Sequence, residues 1–350
     1  MNHTITIGMD LGDKTHITVV LDADGNELDI SAVGNKKADI SKYFEHYQGS
    51  TVAIEAGTHS PWISRLLEQM GCNVYVGNPR KLRFIWDSID KSDQRDARLL
   101  ARVCRFDPRL LWPLRHRNSQ AHADLTVIKS RDMLVKCRTQ LISHARAVVK
   151  TNGERLPVCS VECFAKRCEQ YVPAQLWPAL QSVFETIAQL GEQIRKLDNK
   201  IAKLCQQQYP EAQRLQQVPG VGPVTALSYV LTIEDPQRFC KSRQVGSFLG
   251  LTPRRDQSGK VDKQLHISKA GNNYLRKLLV GSAHYILGPF GPDSNLRRYG
   301  LAIAARGGKN AKKRAAVAVA RKLAVLLHRL WTSEQAYVPL YNQGKHKKVA

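Results

Sequence analysis

The sequence predicts an α/β domain at the amino terminus, a long helical segment in the middle and a mainly helical domain at the carboxyl terminus. Three patterns support this order: alternating apolar residues before residue 80, a heptad pattern over 176–204, and helical stretches separated by Gly and Pro after residue 210. At 350 residues the chain is too long for one ordinary core, which favours separate domains.

The first 77 residues are predicted to form three strands in a meander, followed by helix, strand, helix and strand. Ile7 and Met9 alternate with smaller residues before Gly12 and Asp13, and an apolar stretch resumes after them, so Asp10 is placed near the end of the first strand of a β-hairpin. Further strands are predicted over 26–33, 51–55 and 72–77, and helices over 38–47 and 60–70. This is the order of an RNase H-like sheet.

Residues 91–106 have helical spacing, with Leu99, Leu100 and Val103 as the apolar face. Asp93 and Asp96 are three residues apart and therefore lie on one side of this helix. A long basic helix is predicted next, over 117–150.

The following helix has the most regular periodicity in the chain, an apolar seam of about four heptads. Its members are Leu176, Leu180, Val183, Ile187, Leu190, Ile194, Leu197, Ile201 and Leu204. Such a seam predicts a coiled coil. Two explanations of this pattern remain open. The helix could pack on the helix over 117–150 in the same chain, or it could mediate self-association.

The last part of the chain is predicted to contain helices over 211–235, 242–250, 269–287 and 311–331, with a loop or hairpin over 251–267. The predicted domains are an RNase H-like catalytic domain, a helical coiled-coil spacer, a carboxyl-terminal domain and a flexible basic tail. They cover residues 1–112, 113–209, 210–335 and 336–350.

The charge is concentrated near the carboxyl terminus. The formal net charge is +23, and residues 241–350 contain 22 Lys and Arg against 4 Asp and Glu. Because this excess lies within patterned sequence, nucleic acid is the predicted partner; an anionic membrane or a basic surface that aids solubility is the alternative.

Other classes of protein are disfavoured. No apolar run is long enough to span a membrane, and the polar first residues do not resemble a signal peptide, so a cytoplasmic location is predicted. The eight cysteines include no C-x-x-C pair, which favours reduced thiols over a zinc site.

Four carboxylates fall where an RNase H-like sheet would gather them: Asp10, Glu55, Asp93 and Asp96. Phosphodiester chemistry benefits from divalent cations, and carboxylates are the hard ligands that Mg²⁺ or Mn²⁺ prefers. The sequence therefore predicts a metal-dependent catalytic site at these acids. Each acid alone would be an ordinary surface residue.

Two motifs in the last domain favour phosphate binding. VPGVGPVTALSYVL over 218–231 places a Gly-rich turn before an apolar helix, as in a helix-hairpin-helix or an ordinary helical turn. The segment 250–279 sets Ser258 and Ser268 among cations predicted to bind nucleic acid: Arg254, Arg255, Lys260, Lys263, Lys269 and Arg276. Ser268 precedes a helix and is predicted as its N-cap, whereas Ser258 lies in a flexible turn and is the better candidate nucleophile.

Together these residues resemble the DEDD insertion-sequence transposases, relatives of the Piv invertase that are also described as RNA-guided recombinases. The resemblance spans nearly the whole chain. Its motifs are TIGMDLGDKTH, VAIEAG, KSDQRDARLLA, PGVGPVTA, RFCKSRQVGSFLGLTPRRDQSG and ISKAGNNYLRKLL.

The resemblance implies a RuvC-like domain, a coiled-coil spacer and a carboxyl-terminal transposase domain. It implies that Asp10, Glu55, Asp93 and Asp96 bind Mg²⁺, and that Ser258 attacks a DNA phosphate to form a 5′-phosphoserine, with Ser268 as the other candidate. It also implies donor and target DNA, an element-encoded guide RNA, and a dimer that becomes a tetramer on DNA, with the site shared between subunits.

Two other functions remain open on the sequence alone. A RuvC-type junction nuclease would hydrolyse DNA with water and use the last domain only for binding. A non-catalytic nucleic-acid-binding protein would carry the four acids as ordinary surface residues.

Overall fold

The computed structural model describes residues 5–82, 92–259 and 261–341. The chain divides into two compact units, Met1–Asn118 and Ser119–Ala350. Lys260 and most of the predicted basic tail, 342–350, lie outside the described residues.

Five strands form one mixed sheet in the first unit, in the order β3-β2-β1-β4-β5. Strands β1, β2 and β3 pair antiparallel as a meander, whereas β4 and β5 run parallel to β1. The bounds are Thr6–Asp10 for β1, Thr15–Leu21 for β2, Glu27–Gly34 for β3, Thr51–Glu55 for β4 and Asn73–Gly77 for β5. The predicted mixed α/β sheet, with its RNase H-like order, is confirmed.

Helices cover both faces of this sheet: α1 (Lys37–Phe44) and α2 (Ser60–Gln69) on one face, and α3 (Asp93–Phe106) on the other. Successive side chains of a strand point to opposite faces. Ile7 therefore packs with α1 and α2, and Gly8 faces α3.

The second unit begins with two long helices, α4 (Ser119–Thr151) and α6 (Trp177–Gln207), separated by the short α5 (Phe164–Cys168). They pack along each other in opposite directions, because the start of α4 shares a core with the end of α6 and the reverse holds at the other end. Arg131 Nε also donates to Asp198 Oδ1 at 2.5 Å.

The packing of α4 on α6 buries part of the predicted heptad seam within one chain. One set of seam residues, a heptad apart, is buried: Leu180, Ile187, Ile194 and Ile201. The alternate set is only half-buried: Leu176, Val183, Leu190 and Leu197.

The remaining helices enclose a common core around Tyr229, the largest fully buried side chain among the described residues. The hydroxyl of Tyr229 donates to the backbone carbonyl of Ala324 at 2.6 Å. These helices are α7 (Pro210–Leu215), α8 (Pro223–Ile233), α9 (Gln244–Phe248), α10 (Asn273–Leu287), α11 (Asn295–Ala304) and α12 (Ala311–Ser333). A β-hairpin of β6 (Pro253–Ser258) and β7 (Val261–Ile267) interrupts them. The predicted helical character of this part is confirmed.

None of the helices in the described ranges combines the length and apolar composition needed to cross a bilayer.

Candidate functional site

Two of the predicted acids end neighbouring parallel strands. Asp10 is the last residue of β1 and Glu55 the last residue of β4, and the register that pairs Met9 with Ile54 makes them the next residues on the two strands. Both are half-buried. The sheet therefore presents two carboxylates side by side at one edge.

The side-chain alternation places both acids on the face that α3 covers. Asp10 shares its face with Gly8, and a Cβ on Gly8 would lie 1.9 Å from the carbonyl oxygen of Ala97 in α3. Glu55 shares its face with Ala53, which packs in one cluster with residues of α3. The two strand-end acids thus point to the side of the sheet that carries the other two.

Asp93 and Asp96 occupy the first turn of α3. Ser92 caps this helix by accepting a hydrogen bond from the backbone N–H of Arg95 at 3.3 Å. Acidic side chains in a first turn are stabilised by the exposed N–H groups of the helix end. Asp96 directly precedes Ala97, the residue that rests on Gly8, so the close packing of α3 on β1 brings Asp96 near the end of that strand.

The donor set is of the type that a hard divalent cation requires, because all four groups are carboxylates on elements that converge. Asp10, Glu55 and Asp96 already take part in interactions within the chain. Within residues 5–82, 92–259 and 261–341, no three His, Cys, Asp or Glu side chains are arranged to hold a metal ion. Metal binding at these acids would therefore require their side chains to turn toward one another.

A polar cluster that the sequence reasoning missed lies at the same edge of the sheet. His16, near the start of β2, is fully buried and its Nε2 lies 3.0 Å from Asn35 Oδ1, while burial lowers the pKa of this imidazole. His59, four residues after Glu55, has its Nε2 3.3 Å from Asp13 Oδ1. In the sequence, the only indication of this cluster is that histidines occur close to the predicted strand ends.

Ser258 is the last residue of β6 and lies exposed near the tip of the hairpin, where it pairs with Val261. Its hydroxyl has no hydrogen-bond partner in the part of the chain that the structure describes. Alternation along the strands places Lys263, the partner of Asp256, on the same face as Ser258. The hairpin therefore presents the Ser258 hydroxyl, the Asp256 carboxylate and the Lys263 ammonium group on one face.

Arg255 belongs to the opposite face of the hairpin. Its Nε donates to Asp262 Oδ1 at 2.6 Å. This contact lowers the pKa of the Asp262 carboxyl, so the pair stays ionised. Arg254 lies at the irregular step of the ladder between Pro253 and Arg255.

Ser268 differs from its prediction as a helix cap. The helix begins at Asn273 and its N-cap is Asn272, whose side chain accepts from the backbone N–H of Leu275 at 2.9 Å. Lys269, with φ of 54°, and Gly271, with φ of 73°, hold the chain out of helical geometry until that point. The hydroxyl of Ser268 instead accepts a hydrogen bond from the backbone N–H of Ala270 at 3.4 Å, in a half-buried turn.

Arg276 has a structural position in the fold. It is only 8% exposed, and its Nη1 donates to the carbonyl oxygens of Leu249 and Ala270, both at 2.9 Å. Its guanidinium therefore ties the turn before α10 to the end of α9. Lys263 and Lys269 are exposed.

The Gly-rich turn between α7 and α8 packs against α10. Gly220 has φ of 85°, and a Cβ there would approach Tyr285 Cδ1 to 2.9 Å. Gly222 precedes α8, which starts at Pro223. The segment is thus a tight turn that connects two helices. Its role in phosphate binding remains a prediction.

Sequence comparisons match both halves of the chain. The family described as Transposase IS116/IS110/IS902 matches residues 212–294, and the DEDD transposase family of IS110 matches residues 7–152. The transposase for insertion sequence element IS1111A of Coxiella burnetii is 30% identical over 302 residues, which are 83% of this chain and 79% of that protein.

Two further relatives extend the comparison. A probable family 20 transposase of Pseudomonas aeruginosa is 26% identical over 340 residues, 95% of this chain and 98% of its own length. The pilin gene-inverting protein of Moraxella bovis is 27% identical over 287 residues, 79% of each chain. The similarity therefore includes both the acidic sheet and the segment that carries Ser258.

Proposed function

Because the chain belongs to the IS116/IS110/IS902 family of transposases, we propose that it moves an insertion sequence by cutting and rejoining DNA through a covalent serine intermediate. The observation that supports this proposal is that Asp10 and Glu55 end neighbouring strands on the face that α3 covers, while Asp93 and Asp96 lie in the first turn of that helix. The DNA substrate follows from the family, and the exposed Ser258 supplies a nucleophile that the acids alone would lack.

In this proposal Asp10, Glu55, Asp93 and Asp96 hold Mg²⁺ or Mn²⁺, whose positive charge offsets the negative charge that develops on a phosphate under attack. The backbones of Asp10 and Glu55 are fixed by strand pairing, Asp10 with Ile17 of β2 and Glu55 with Gly77 of β5. Asp93 and Asp96 are fixed by the capped first turn of α3.

The serine reaction exchanges one phosphate ester for another. Ser258 Oγ forms a bond to the DNA phosphorus, the bond from phosphorus to the 3′ oxygen breaks, and the proton of the serine hydroxyl is passed on to leave a 3′ hydroxyl. The product is a 5′-phosphoserine. Attack by a different 3′ hydroxyl then joins the new strands and restores Ser258. Lys263, on the same face, is positioned to neutralise the phosphate.

We further propose that copies of the chain assemble through the α4–α6 pair as a coiled coil. Leu176, at the N-cap of α6, and Val183, Leu190 and Leu197 on α6 are half-buried at heptad spacing. A set on α4 has the same spacing: Val127, Leu134, Leu141 and Val148. Such a pair of stripes is what a second helical hairpin would cover. Assembly would allow the acids of one subunit to act with the serine of another.

An element-encoded RNA is the proposed source of target choice. The support is the excess of cations after residue 240, which binds phosphate backbones without reading sequence. Target choice by base pairing would leave the protein to grip backbones, which agrees with this charge.

The test is recombination by the purified full-length protein with donor DNA, target DNA, RNA from the element ends and Mg²⁺. Ser258→Ala should abolish both recombination and the DNA-linked protein band that survives denaturing gel electrophoresis. Ser268→Ala is the matched control and should retain both. An adduct that persists in Ser258→Ala would refute the assignment of the nucleophile.

The acids are tested in the same assay. Asp10→Asn should reduce the rate by more than about 100-fold, whereas Asp24→Asn, in the turn after β2 at the opposite edge of the sheet, should not. Free nicked DNA from Ser258→Ala would instead indicate a hydrolytic nuclease. Full recombination by Asp10→Asn and Glu55→Gln would indicate that the acids are not catalytic.

A further inference from the structure

The second unit contains a groove of about 2020 Å³ between β7, α11, α12 and the segment that follows α12. One face of α12 forms its long wall. The basic residues of this wall extend from Lys313 to Arg329, which is about 24 Å at the rise of an α-helix. The groove is therefore long enough for an extended ligand.

The groove is strongly basic. Eight Lys and Arg side chains line it, and none of the described lining residues is Asp or Glu. None of these eight side chains forms an ion pair with a carboxylate in the described ranges. Like charges at this density repel one another, and a polyanion would neutralise them.

The apolar side chains and the tyrosine rings of the groove indicate which kind of polyanion it binds. Apolar side chains also line the groove, among them Val317 and Leu326. The Lys322 ammonium lies 3.6 Å from the centre of the Tyr299 ring, and the Arg329 guanidinium lies 5.2 Å from that of Tyr341. Unpaired bases stack on aromatic rings while their phosphates meet cations, whereas a duplex keeps its base faces inside.

We propose that this groove binds a single-stranded segment of nucleic acid, DNA or RNA, whose bases contact the tyrosines and whose phosphates contact α12. The groove also borders the β6–β7 hairpin. Gln264 of β7 lines the groove and pairs with Arg255, three residues before Ser258. Three strand residues span roughly 10 Å. A strand that leaves the groove at β7 would therefore pass close to the serine.

This inference takes the class of ligand from the proposed function, but it does not depend on the chemistry of Ser258. Ser258→Ala should bind single strands as the unaltered protein does. A protein that binds single strands in the groove and forms no adduct would overturn the proposed function and leave the groove assignment intact.

The test is fluorescence anisotropy with the full-length protein and labelled oligo(dT), oligo(rU) or duplex DNA, over a range of salt concentrations. Arg314→Ala with Arg321→Ala should weaken single-strand binding about tenfold and reduce the magnitude of its salt slope by about 1.4, since each lost phosphate contact accounts for about 0.7. Lys309→Ala with Lys312→Ala is the matched control, because it also removes two exposed cations. Lys312 is on α12 and Lys309 lies just before it, and neither lines the groove. Thermal unfolding verifies that every variant is folded.

Stacking is tested at Tyr299. Tyr299→Leu should weaken single-strand binding roughly tenfold, whereas Tyr299→Phe keeps the ring and should bind normally. Equal losses for groove and control pairs would show a diffuse charge effect and overturn the proposal. A larger loss for duplex than for single strands, or identical binding by the Leu and Phe variants, would also overturn it. The preference between oligo(dT) and oligo(rU) identifies the strand.

Discussion

Replacing Gly8 with alanine should force α3 away from β1 and disrupt the acidic site. A Cβ at this position would lie 1.9 Å from the carbonyl oxygen of Ala97 and 2.5 Å from the backbone nitrogen of Ala101. Both atoms belong to the helix backbone, so no side chain can rotate to make room. The helix that carries Asp93 and Asp96 must move instead.

The size of the effect follows from these distances. An ordinary contact begins near 3.4 Å, so relief of the contact at 1.9 Å requires a shift of roughly 1.5 Å. Overpacking of this kind costs about 1–3 kcal/mol, which for a unit of this size lowers the unfolding temperature by on the order of 10 °C. A misplacement of about 1 Å in catalytic groups reduces rates by about 100-fold.

The measurements are thermal unfolding and Mg²⁺-dependent recombination, the latter made well below the unfolding transition. Gly57→Ala is the matched stability control, because no heavy atom of the described residues, apart from its own chain neighbours, lies within 4 Å of a Cβ built there. A Gly8→Ala protein that unfolds at the original temperature and recombines at the original rate would refute the close packing of α3 on β1.

Three further outcomes are expected. Lys263→Ala should lower the yield of the covalent adduct about tenfold, and Arg255→Ala, on the other face of the hairpin, should lower it less, as read from labelled DNA on denaturing gels. Tyr229→Phe should reduce the free energy of unfolding by about 1 kcal/mol, since the hydrogen bond from the Tyr229 hydroxyl to a buried helix carbonyl is lost; thermal unfolding measures this. Burial raises the pKa of the Cys104 thiol to about 12, so at pH 8 it should stay protonated and resist iodoacetamide, whereas the exposed Cys240 should be alkylated in the same mass-spectrometric experiment.

The sheet could be predicted from the sequence because each strand carries its own periodicity. Alternation of Ile7 and Met9 indicates a strand with two different faces, and the order of elements then predicts the mixed sheet. The close approach of α3 to Gly8 could not be predicted in this way. A glycine has no side chain to contribute to a hydropathy pattern, and which helix residue it meets depends on tertiary packing.

The start of α10 illustrates a different limit. Ser268 and Asn272 are both residues that cap helices, and spacing alone does not choose between them. The choice is made by the backbone of the intervening turn, where Lys269 and Gly271 have positive φ. The predicted helix therefore exists, but it begins four residues later than residue 269, at Asn273.

The cations near the serine show why a count of charges cannot assign a phosphate site. In the sequence, Arg255, Lys263 and Arg276 are equivalent basic neighbours of Ser258. In the fold, Arg276 is buried on backbone carbonyls and Arg255 is paired with Asp262 across the opposite face of the hairpin. Lys263 alone of these three shares the face of Ser258 and extends into solvent. Strand register, which sets the face of every hairpin residue, therefore selects which charge can reach a phosphate bound at the serine.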